Sequence, residues 1–336
     1  MQDRRPLILC YLAITMVLVV ISMGAWTRLN DAGLGCPDWP GCYGQIVVPQ
    51  TSEQIALAEL EYVGESVDVR KGMIEMVHRY FASSLGLVIV FLALFALKNR
   101  HRKGYPVALS IGLLMLVIVQ GLFGMWTVTL KLLPIVVTLH LLGGLLTLAL
   151  LIQLMLRLKT NRIEGSVAEP GRLKGLLLAA LFLLFIQLGL GGWTSANYAG
   201  WSCSHWLHCE ADIDVELNYR DGFRLIPDIG PDYQGGVLEQ PARAAIQMVH
   251  RAGALIVGLT FSVLALMLIA VPRCRPAAIA LMSVLFLQVA LGVLNVVFTL
   301  PLELAMAHHL GAVLLLISLL WLKYIYEQGD KEVIYG

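Results

Sequence analysis

The chain has 336 residues, of which 58% are apolar and 14% are charged. A soluble domain usually has about 45–50% apolar and about 25% charged residues, so this composition excludes a water-soluble globule and indicates an integral membrane protein. Because 24 basic residues are balanced by 23 acidic ones, the overall charge gives no basis for nucleic-acid binding.

Eight apolar stretches are long enough to cross the hydrocarbon core of a bilayer, which takes roughly 20 helical residues. The first stretch is longer than the apolar part of a cleaved signal peptide and lacks its small-residue end, so we expect it to be retained. The predicted fold class is therefore an all-α integral membrane protein with eight transmembrane helices, near 7–27, 74–97, 105–127, 134–156, 173–193, 244–271, 277–298 and 303–322.

The distribution of basic residues predicts the topology. Of the 24 Lys and Arg residues, 15 lie on the side with both termini and short connections, and seven lie on the side with two long loops, about 28–72 and 194–242. By the positive-inside rule we expect a multi-pass protein of the inner (plasma) membrane with cytoplasmic termini and periplasmic or extracellular long loops. Within the second loop, the segment 212–240 is acidic and has no recognisable motif.

An internal repeat covers almost the whole chain. The first loop motif recurs 167 positions later, and two histidine-containing segments recur 172 and 168 positions later. The matches are Trp26, Thr27, Asn30, Gly33, Cys36, Trp39 and Cys42 with Trp193, Thr194, Asn197, Gly200, Cys203, Trp206 and Cys209; Met76 to Arg79 with Met248 to Arg251; and Gln120, Gly124, His140 and Gly143 with Gln288, Gly292, His308 and Gly311.

The repeat predicts two domains, residues 1–160 and 161–336, each a four-helix bundle with one long outer loop. Each copy contains an even number of spans, so both should have the same orientation. A pseudo-two-fold axis along the membrane normal should then relate them.

Four of the eight histidines lie at matched positions of the repeat inside predicted spans, at similar distances from the outer ends of their helices. Two neutral imidazoles at equal depth in one bundle can ligate a haem iron from both faces. The alternatives are histidines that only hydrogen-bond between helices, or a proton relay. Duplication favours two haem sites, with the ligand pairs His78 and His140 in the first half and His250 and His308 in the second.

Three further residues stand beside these histidines. His309 follows His308 and so points about 100° away around the helix, which makes it the weaker candidate ligand. Arg79 and Arg251 each follow the first histidine of a pair. Each can extend to the outer interface or pair with an anionic group such as a haem propionate, and the second role is favoured.

The most informative difference between the two copies is at a polar position. Glu75 lies one helical turn before His78, and the equivalent residue before His250 is Gln247. A carboxylate beside a cofactor can transfer protons or stabilise positive charge, whereas an amide cannot. Glu75 can also be an interfacial charge favoured by the helix dipole. The difference indicates that the first half performs chemistry and the second holds a fixed cofactor.

Each long loop contains a C-x5-C pair on the predicted oxidising side. A Cys2His2 zinc site is an alternative in the second loop because His205 and His208 lie there, but the first loop has no such histidines. We therefore expect the disulfides Cys36–Cys42 and Cys203–Cys209. If either takes part in turnover, we expect the first. Cys10 and Cys274 should remain thiols.

Together these motifs resemble bacterial haem A synthase, of the subgroup with a cysteine pair in both outer loops. The resemblance rests on EMVHR at Glu75 to Arg79, the second VHR at 249–251, and TLHLLGG around His140. It rests also on AHHLGA around His308 and the two WTxxNxxGxxCxxWxxC loops, and it covers all eight spans, about 8–324.

The resemblance implies an enzyme that oxidises the C8 methyl group of haem O to a formyl group by successive hydroxylations. It implies that His78 and His140 surround the substrate haem, that Glu75 is the catalytic acid, and that the Cys36–Cys42 pair takes part in catalysis. It implies haem B as cofactor in the second half, on His250 and His308. Family members commonly have Gln where this chain has His309.

The resemblance also implies partners and leaves alternatives. Expected partners are membrane lipid, a quinone or a partner protein as electron acceptor, a farnesyltransferase that makes haem O, and a further copy of the chain. The main alternative is a di-haem b-type electron-transfer cytochrome that oxidises quinol, which leaves the Glu75 and Gln247 difference unexplained. A transporter with proton-carrying histidines is the other alternative, although few spans are interrupted by Gly or Pro.

Overall fold

The computed structural model describes residues 4–160, 172–203, 209, 216–226 and 232–335, and these residues contain helices and no strands. The helices are α1 (Arg5–Leu29), α2 (Ser52–Glu61), α3 (Val69–Lys98), α4 (Val107–Thr129), α5 (Pro134–Thr160), α6 (Arg172–Ala196), α7 (Tyr219–Gly222), α8 (Gln240–Ile269), α9 (Arg275–Val297) and α10 (Leu302–Tyr335). Eight of them, all but α2 and α7, are long and apolar enough to cross a membrane. The predicted all-α class with eight spans is confirmed.

The helices extend beyond the apolar stretches that revealed them. Helix α3 begins at Val69 rather than near residue 74, because the Asp68 side chain accepts a hydrogen bond from the Lys71 backbone N–H and caps the first turn. Helix α2 has a capping box between Thr51 and Gln54, whose side chains each bond the other residue's backbone N–H. Hydropathy could not reveal α2, because it is a short polar helix of the first outer loop.

The chain divides into two compact units. Unit 1 is Met1–Glu164 with Asp228–Gly235, and unit 2 is Gly165–Pro227 with Gly236–Gly336. The short segment of unit 1 comes from the second long loop. It is joined to unit 1 by hydrogen bonds from the Gln234 side chain to the Asp31 carbonyl (3.0 Å) and from the Tyr233 N–H to the Lys131 carbonyl (3.1 Å).

In each unit, four long helices form a closed ring of neighbours. In unit 1, α1 and α4 each contact both α3 and α5; in unit 2, α6 and α9 each contact both α8 and α10. Helices α3 and α5 are therefore diagonally opposed, as are α8 and α10. This matters for the site, because the diagonal pairs carry the four histidines.

The outer surfaces of the long helices are apolar. Phe182 and Phe286, for example, have 68% and 79% of their surface exposed, and many aliphatic side chains on the same helices are also exposed. A soluble monomer rarely exposes so large an apolar surface. The exposed side chains are those expected to contact lipid.

Unusual backbone conformations recur at equivalent positions of the two units. Positive φ angles occur at Lys131 and Leu132 between α4 and α5, and at Thr299 and Leu300 between α9 and α10. The Leu132 side chain packs where a Cβ on Gly33 would lie, at 3.0 Å, and Leu300 packs likewise on Gly200, at 3.2 Å. The local structure of the outer turns is thus repeated, whereas the axis relating the copies stays a prediction.

Candidate functional site

The four span histidines lie on diagonally opposed helices. His78 on α3 and His140 on α5 belong to unit 1, and His250 on α8 and His308 on α10 belong to unit 2. In unit 1 the two imidazoles are close enough for an electrostatic interaction, and the same holds in unit 2. Each pair therefore reaches across the centre of its own bundle rather than between neighbouring helices.

A glycine of an adjacent helix lies beside each imidazole ring. A Cβ added at Gly24 or Gly191 would lie 3.1 or 3.3 Å from the Cε1 atom of His78 or His250. A Cβ added at Gly292 or Gly124 would lie 3.1 Å from Cε1 of His308 or 3.6 Å from Cε1 of His140. A Cβ at Gly24, Gly191 or Gly292 would crowd the ring beside it, whereas a Cβ at Gly124 would make an ordinary contact. The absence of side chains at the first three positions therefore leaves room for the histidine rings.

The imidazole nitrogens are poorly satisfied by the protein itself. Among the described residues, the buried Nδ1 atoms of His78, His140 and His308 have no hydrogen-bond partner. Buried polar atoms without partners are uncommon and call for a specific explanation. Two imidazoles on opposite sides of a bundle, flanked by glycines, fit a planar haem with iron between them.

His308 rather than His309 occupies the position equivalent to His140. His308 lies beside Gly292 as His140 lies beside Gly124, and the Gln288 side-chain nitrogen is 3.4 Å from its Nε2 atom. The geometry therefore favours His308 as the ligand in unit 2.

Glu75 anchors the first outer loop to α3. Its side chain is buried, with 4% of the residue exposed, and Oε2 accepts a hydrogen bond of 3.0 Å from the backbone N–H of Cys36. The loop approaches α3 this closely because Gly35 has no side chain, since a Cβ there would lie 2.5 Å from the Lys71 carbonyl carbon. The carboxylate thus touches the disulfide-bearing loop directly.

Arg79 binds both Glu75 and the first long loop, and these two residues form the seat of that loop. Its Nη2 atom forms a hydrogen-bonded ion pair with Oε1 of Glu75, one turn away on α3. Its Nη1 atom donates to the loop carbonyls of Asp38 (3.1 Å), Pro40 (3.3 Å) and Gly41 (2.5 Å). Arg79 therefore holds the loop and the carboxylate together, and its predicted contact with a haem propionate stays a prediction.

In unit 2 an amide forms the equivalent seat. Oε1 of Gln247 accepts from the Cys203 N–H at 2.7 Å, and its Nε2 donates to the Gly200 carbonyl at 2.8 Å. Arg251 donates to the Cys203 carbonyl at 3.2 Å. The second loop is therefore held by the same backbone amide as the first, but by a neutral side chain that is satisfied by the loop alone.

Both predicted disulfides are confirmed. The Cα atoms of Cys36 and Cys42 are 4.7 Å apart, and those of Cys203 and Cys209 are 4.6 Å apart. Pairing of Cys203 with Cys209 removes the thiolates that the alternative zinc site requires, and its other members, His205 and His208, lie outside the described residues. Cys10 and Cys274 are buried and take part in neither disulfide.

The first disulfide lies in a small core of its own. Cys36 and Cys42 are fully buried beside Tyr43 and Met76, with Tyr62 packed against this cluster. A reaction of this disulfide with an external thiol therefore requires the loop to open. Burial raises the pKa of Tyr43 to about 12, with nearby carboxylates, chiefly Glu65, adding to the rise. The Tyr43 hydroxyl stays protonated and donates to the Ser66 carbonyl at 3.0 Å.

Comparison with known proteins shows the family of this chain. The family model COX15-CtaA, described as cytochrome oxidase assembly protein, matches residues 7–320. The chain belongs to this family. Together with eight membrane-crossing helices, membership identifies a multi-pass membrane protein.

Curated relatives carry a common name. A protein of Shewanella oneidensis named heme A synthase is 42% identical over 315 residues, which cover 93% of this chain and 94% of the relative. Proteins of the same name from Maricaulis maris and Wolbachia pipientis are 26% and 28% identical. These alignments cover 90% and 99% of this chain, and 91% and 96% of the relatives.

Sequence reasoning missed several residues that the structure places at the sites. Gly24 and Gly191 flank histidine rings, and they are 167 positions apart, as the loop motifs are, so the repeat itself could have revealed them. Gln187 on α6 contacts His250, and its signal was a lone amide in an apolar span. The loop contacts of Glu75 had no signal in the sequence, because they depend on how the loop folds back onto α3.

Proposed function

We propose that this protein is a haem A synthase, an oxidoreductase that converts the C8 methyl group of haem O to a formyl group by successive hydroxylations. The family and the relatives named heme A synthase support the activity. The observation that carries the assignment to particular residues is the difference between the two seats, Glu75 in unit 1 and Gln247 in unit 2.

In this proposal unit 1 binds the substrate. His78 and His140 hold haem O between α3 and α5, flanked by Gly24 and Gly124. Glu75, one turn from His78, takes or gives a proton, or stabilises positive charge, as the ring methyl is oxidised. Glu75 accepts a hydrogen bond from the backbone N–H of Cys36, so the Cys36–Cys42 disulfide adjoins the proposed catalytic carboxylate. This contact supports a role for the disulfide in turnover.

Unit 2 holds the resident cofactor in this proposal. His250 and His308 would ligate haem B, with Gly191 and Gly292 beside the rings. Bound there, haem B supplies one-electron transfer. Gln247 cannot act as a carboxylate does, so unit 2 keeps its loop seated and performs no proton chemistry. Arg251, like Arg79, is assigned as a propionate contact.

The proposed location is the inner membrane, with both termini in the cytoplasm and both disulfide loops outside. An oxidising exterior suits the two disulfides, and the basic residues on the opposite side suit the cytoplasm. A quinone or partner protein accepts electrons, and a haem O synthase supplies the substrate.

The test is the haem content of the purified protein, produced together with a haem O synthase. We expect haem B together with haem O or haem A, identified by extraction and mass spectrometry. Haem B alone at full occupancy of both sites would instead support a di-haem electron-transfer cytochrome. A protein without haem would contradict both and favour a transporter.

A further inference from the structure

The shortest side-chain contact to a ring nitrogen of a site histidine lies in unit 2, and the equivalent side chain of unit 1 cannot make it. The side-chain nitrogen of Gln187 on α6 lies 3.0 Å from Nδ1 of His250 and also 3.0 Å from the His250 backbone oxygen. Among the described residues, Nδ1 of His78, the equivalent atom in unit 1, has no hydrogen-bond partner.

The sequence explains this difference at two positions. The residue equivalent to Gln187 is Val20, by the same displacement of 167 that relates the loop motifs. The residue equivalent to Gly253 is Phe81, by the displacement of 172 that relates His78 to His250. A Cβ at Gly253 would lie 2.2 Å from Oε1 of Gln187, so the amide fits only because residue 253 is glycine.

The other two buried amides beside glycines are present in both units, although Gln288 also lies 3.4 Å from Nε2 of His308. Gln120 packs on Gly143 in unit 1 and Gln288 packs on Gly311 in unit 2, at matched positions of the repeat. The Gln187–Gly253 pair is thus a specific addition to unit 2, and it touches the histidine that the proposed function assigns to haem B.

A partner at Nδ1 changes how an imidazole binds iron. It fixes the ring orientation and adjusts the basicity of the ligand, and its loss typically costs about 10–100-fold in metal affinity. As the side chain stands, its nitrogen donates to the His250 carbonyl, and its oxygen has no partner among the described residues. Half a turn of the amide would present the oxygen to an imidazole that binds iron through Nε2 and carries a proton on Nδ1, in exchange for the bond to the carbonyl.

We propose that Gln187 is a positioning residue whose side chain tethers the His250 ring and so makes the haem of unit 2 permanent, whereas Val20, which offers the His78 ring only its backbone carbonyl, allows haem to exchange in unit 1. The inference rests on the proposed function. It explains how two sites with matching histidines serve one resident and one exchanging haem.

The test compares haem release and reduction potential in the purified holoprotein. Release is measured as transfer to excess apomyoglobin, with haem B and haem O or A distinguished by extraction. In Gln187→Val we expect haem B to leave at least about tenfold faster. We also expect its reduction potential to rise, because a less basic ligand stabilises ferric iron less. In Gln187→Glu we expect haem B to be retained and its potential to fall.

The matched control is the reverse exchange in unit 1, Val20→Gln with Phe81→Gly. We expect haem O or A to leave this variant more slowly than the wild type, and unchanged release would contradict the proposal even if Gln187→Val did not fold.

Equal release of haem B from Gln187→Val and wild type would overturn this inference alone. Faster release with an unchanged potential would mean that Gln187 only fills space, and would also overturn it. A wild-type protein without haem would overturn the proposed function as well.

Discussion

The two outer loops are held to their bundles by the same backbone amide but by different side chains. Glu75 accepts from the Cys36 N–H at 3.0 Å, and Gln247 accepts from the Cys203 N–H at 2.7 Å. An amide oxygen therefore seats the loop as well as a carboxylate does. Binding of the loop therefore does not by itself require the negative charge of Glu75.

The other hydrogen bonds of Glu75 and Gln247 differ between the two units. Gln247 uses its second group to donate to the Gly200 carbonyl, so the seat of unit 2 is complete and neutral. Glu75 cannot donate when ionised, and its second oxygen is bound by Arg79, which also holds three loop carbonyls. Unit 1 therefore keeps a buried ion pair where unit 2 does without one. The desolvation penalty of a buried ion pair can exceed the attraction between its charges, so stability alone does not explain why unit 1 keeps one.

Glu75→Gln should have the largest effect, since it gives unit 1 the seat of unit 2. The new amide can still accept from the Cys36 N–H, so we expect normal haem content. Loss of an acid–base group should lower haem A formation by about 10²-fold or more. The measurement is haem A produced per protein in cells that supply haem O. Gln247→Glu is the matched control and should not create a second active unit, and full activity of Glu75→Gln would contradict the assignment.

Arg79→Met should destabilise the protein more than Arg251→Met. Without Arg79, the Glu75 carboxylate is buried with no cation, which typically costs about 3–5 kcal/mol. The equivalent of Glu75 in unit 2 is the neutral Gln247, so loss of Arg251 strands no carboxylate at that position and should cost less. Thermal unfolding in detergent measures both. The double variant Glu75→Gln with Arg79→Met should recover part of the lost stability. Equal destabilisation by Arg79→Met and Arg251→Met would show that the ion pair does not contribute to stability beyond the other contacts of the arginine.

Replacement of each disulfide by two serines should lower stability by similar amounts, about 2–4 kcal/mol, because both join cysteines six positions apart. Function should separate them. We expect Cys36→Ser with Cys42→Ser to reduce haem A yield beyond what the stability loss explains, since that pair adjoins Glu75. An equal reduction from Cys203→Ser with Cys209→Ser would indicate that both disulfides are only structural.

Alanine at two equivalent glycines should have the smallest and most selective effect. A Cβ at Gly292 would lie 3.1 Å from the His308 ring, whereas a Cβ at Gly124 would lie 3.6 Å from the His140 ring, an ordinary contact. Gly292→Ala should therefore cost about 1–3 kcal/mol and loosen haem B, and Gly124→Ala should be nearly neutral. Haem B content and melting temperature measure the difference; the reverse order would contradict the packing described here.

Much of the fold could be predicted from the sequence, because the length and apolar composition of a membrane span belong to one continuous stretch of residues. Apolar length predicts eight helices, but hydropathy ignores caps, so it missed the start of α3 at Asp68 and the whole of α2. The capping box of Thr51 and Gln54 was a readable signal for α2. Unit 1 also contains Gln234, which bonds Asp31 across 203 positions, and no local pattern predicts such a contact.

The candidate site could also be predicted only in part. The repeat predicted the histidines, the disulfides and the exchange of Glu75 for Gln247, because each is a matched or mismatched position in two copies. It did not predict that Glu75 binds the Cys36 N–H or that Gln187 binds His250, since both contacts depend on packing between elements.

The central claim is that each unit holds its own haem and that unit 1 holds the substrate. The most direct measurement is the type of haem extracted from His78→Ala and His250→Ala, each purified beside the wild type from cells that make haem O. We expect His78→Ala to lose haem O and haem A but to keep haem B, and His250→Ala to lose haem B. If His250→Ala retained haem B, or if only His78→Ala lost haem B, the assignment of haem B to unit 2 would be contradicted.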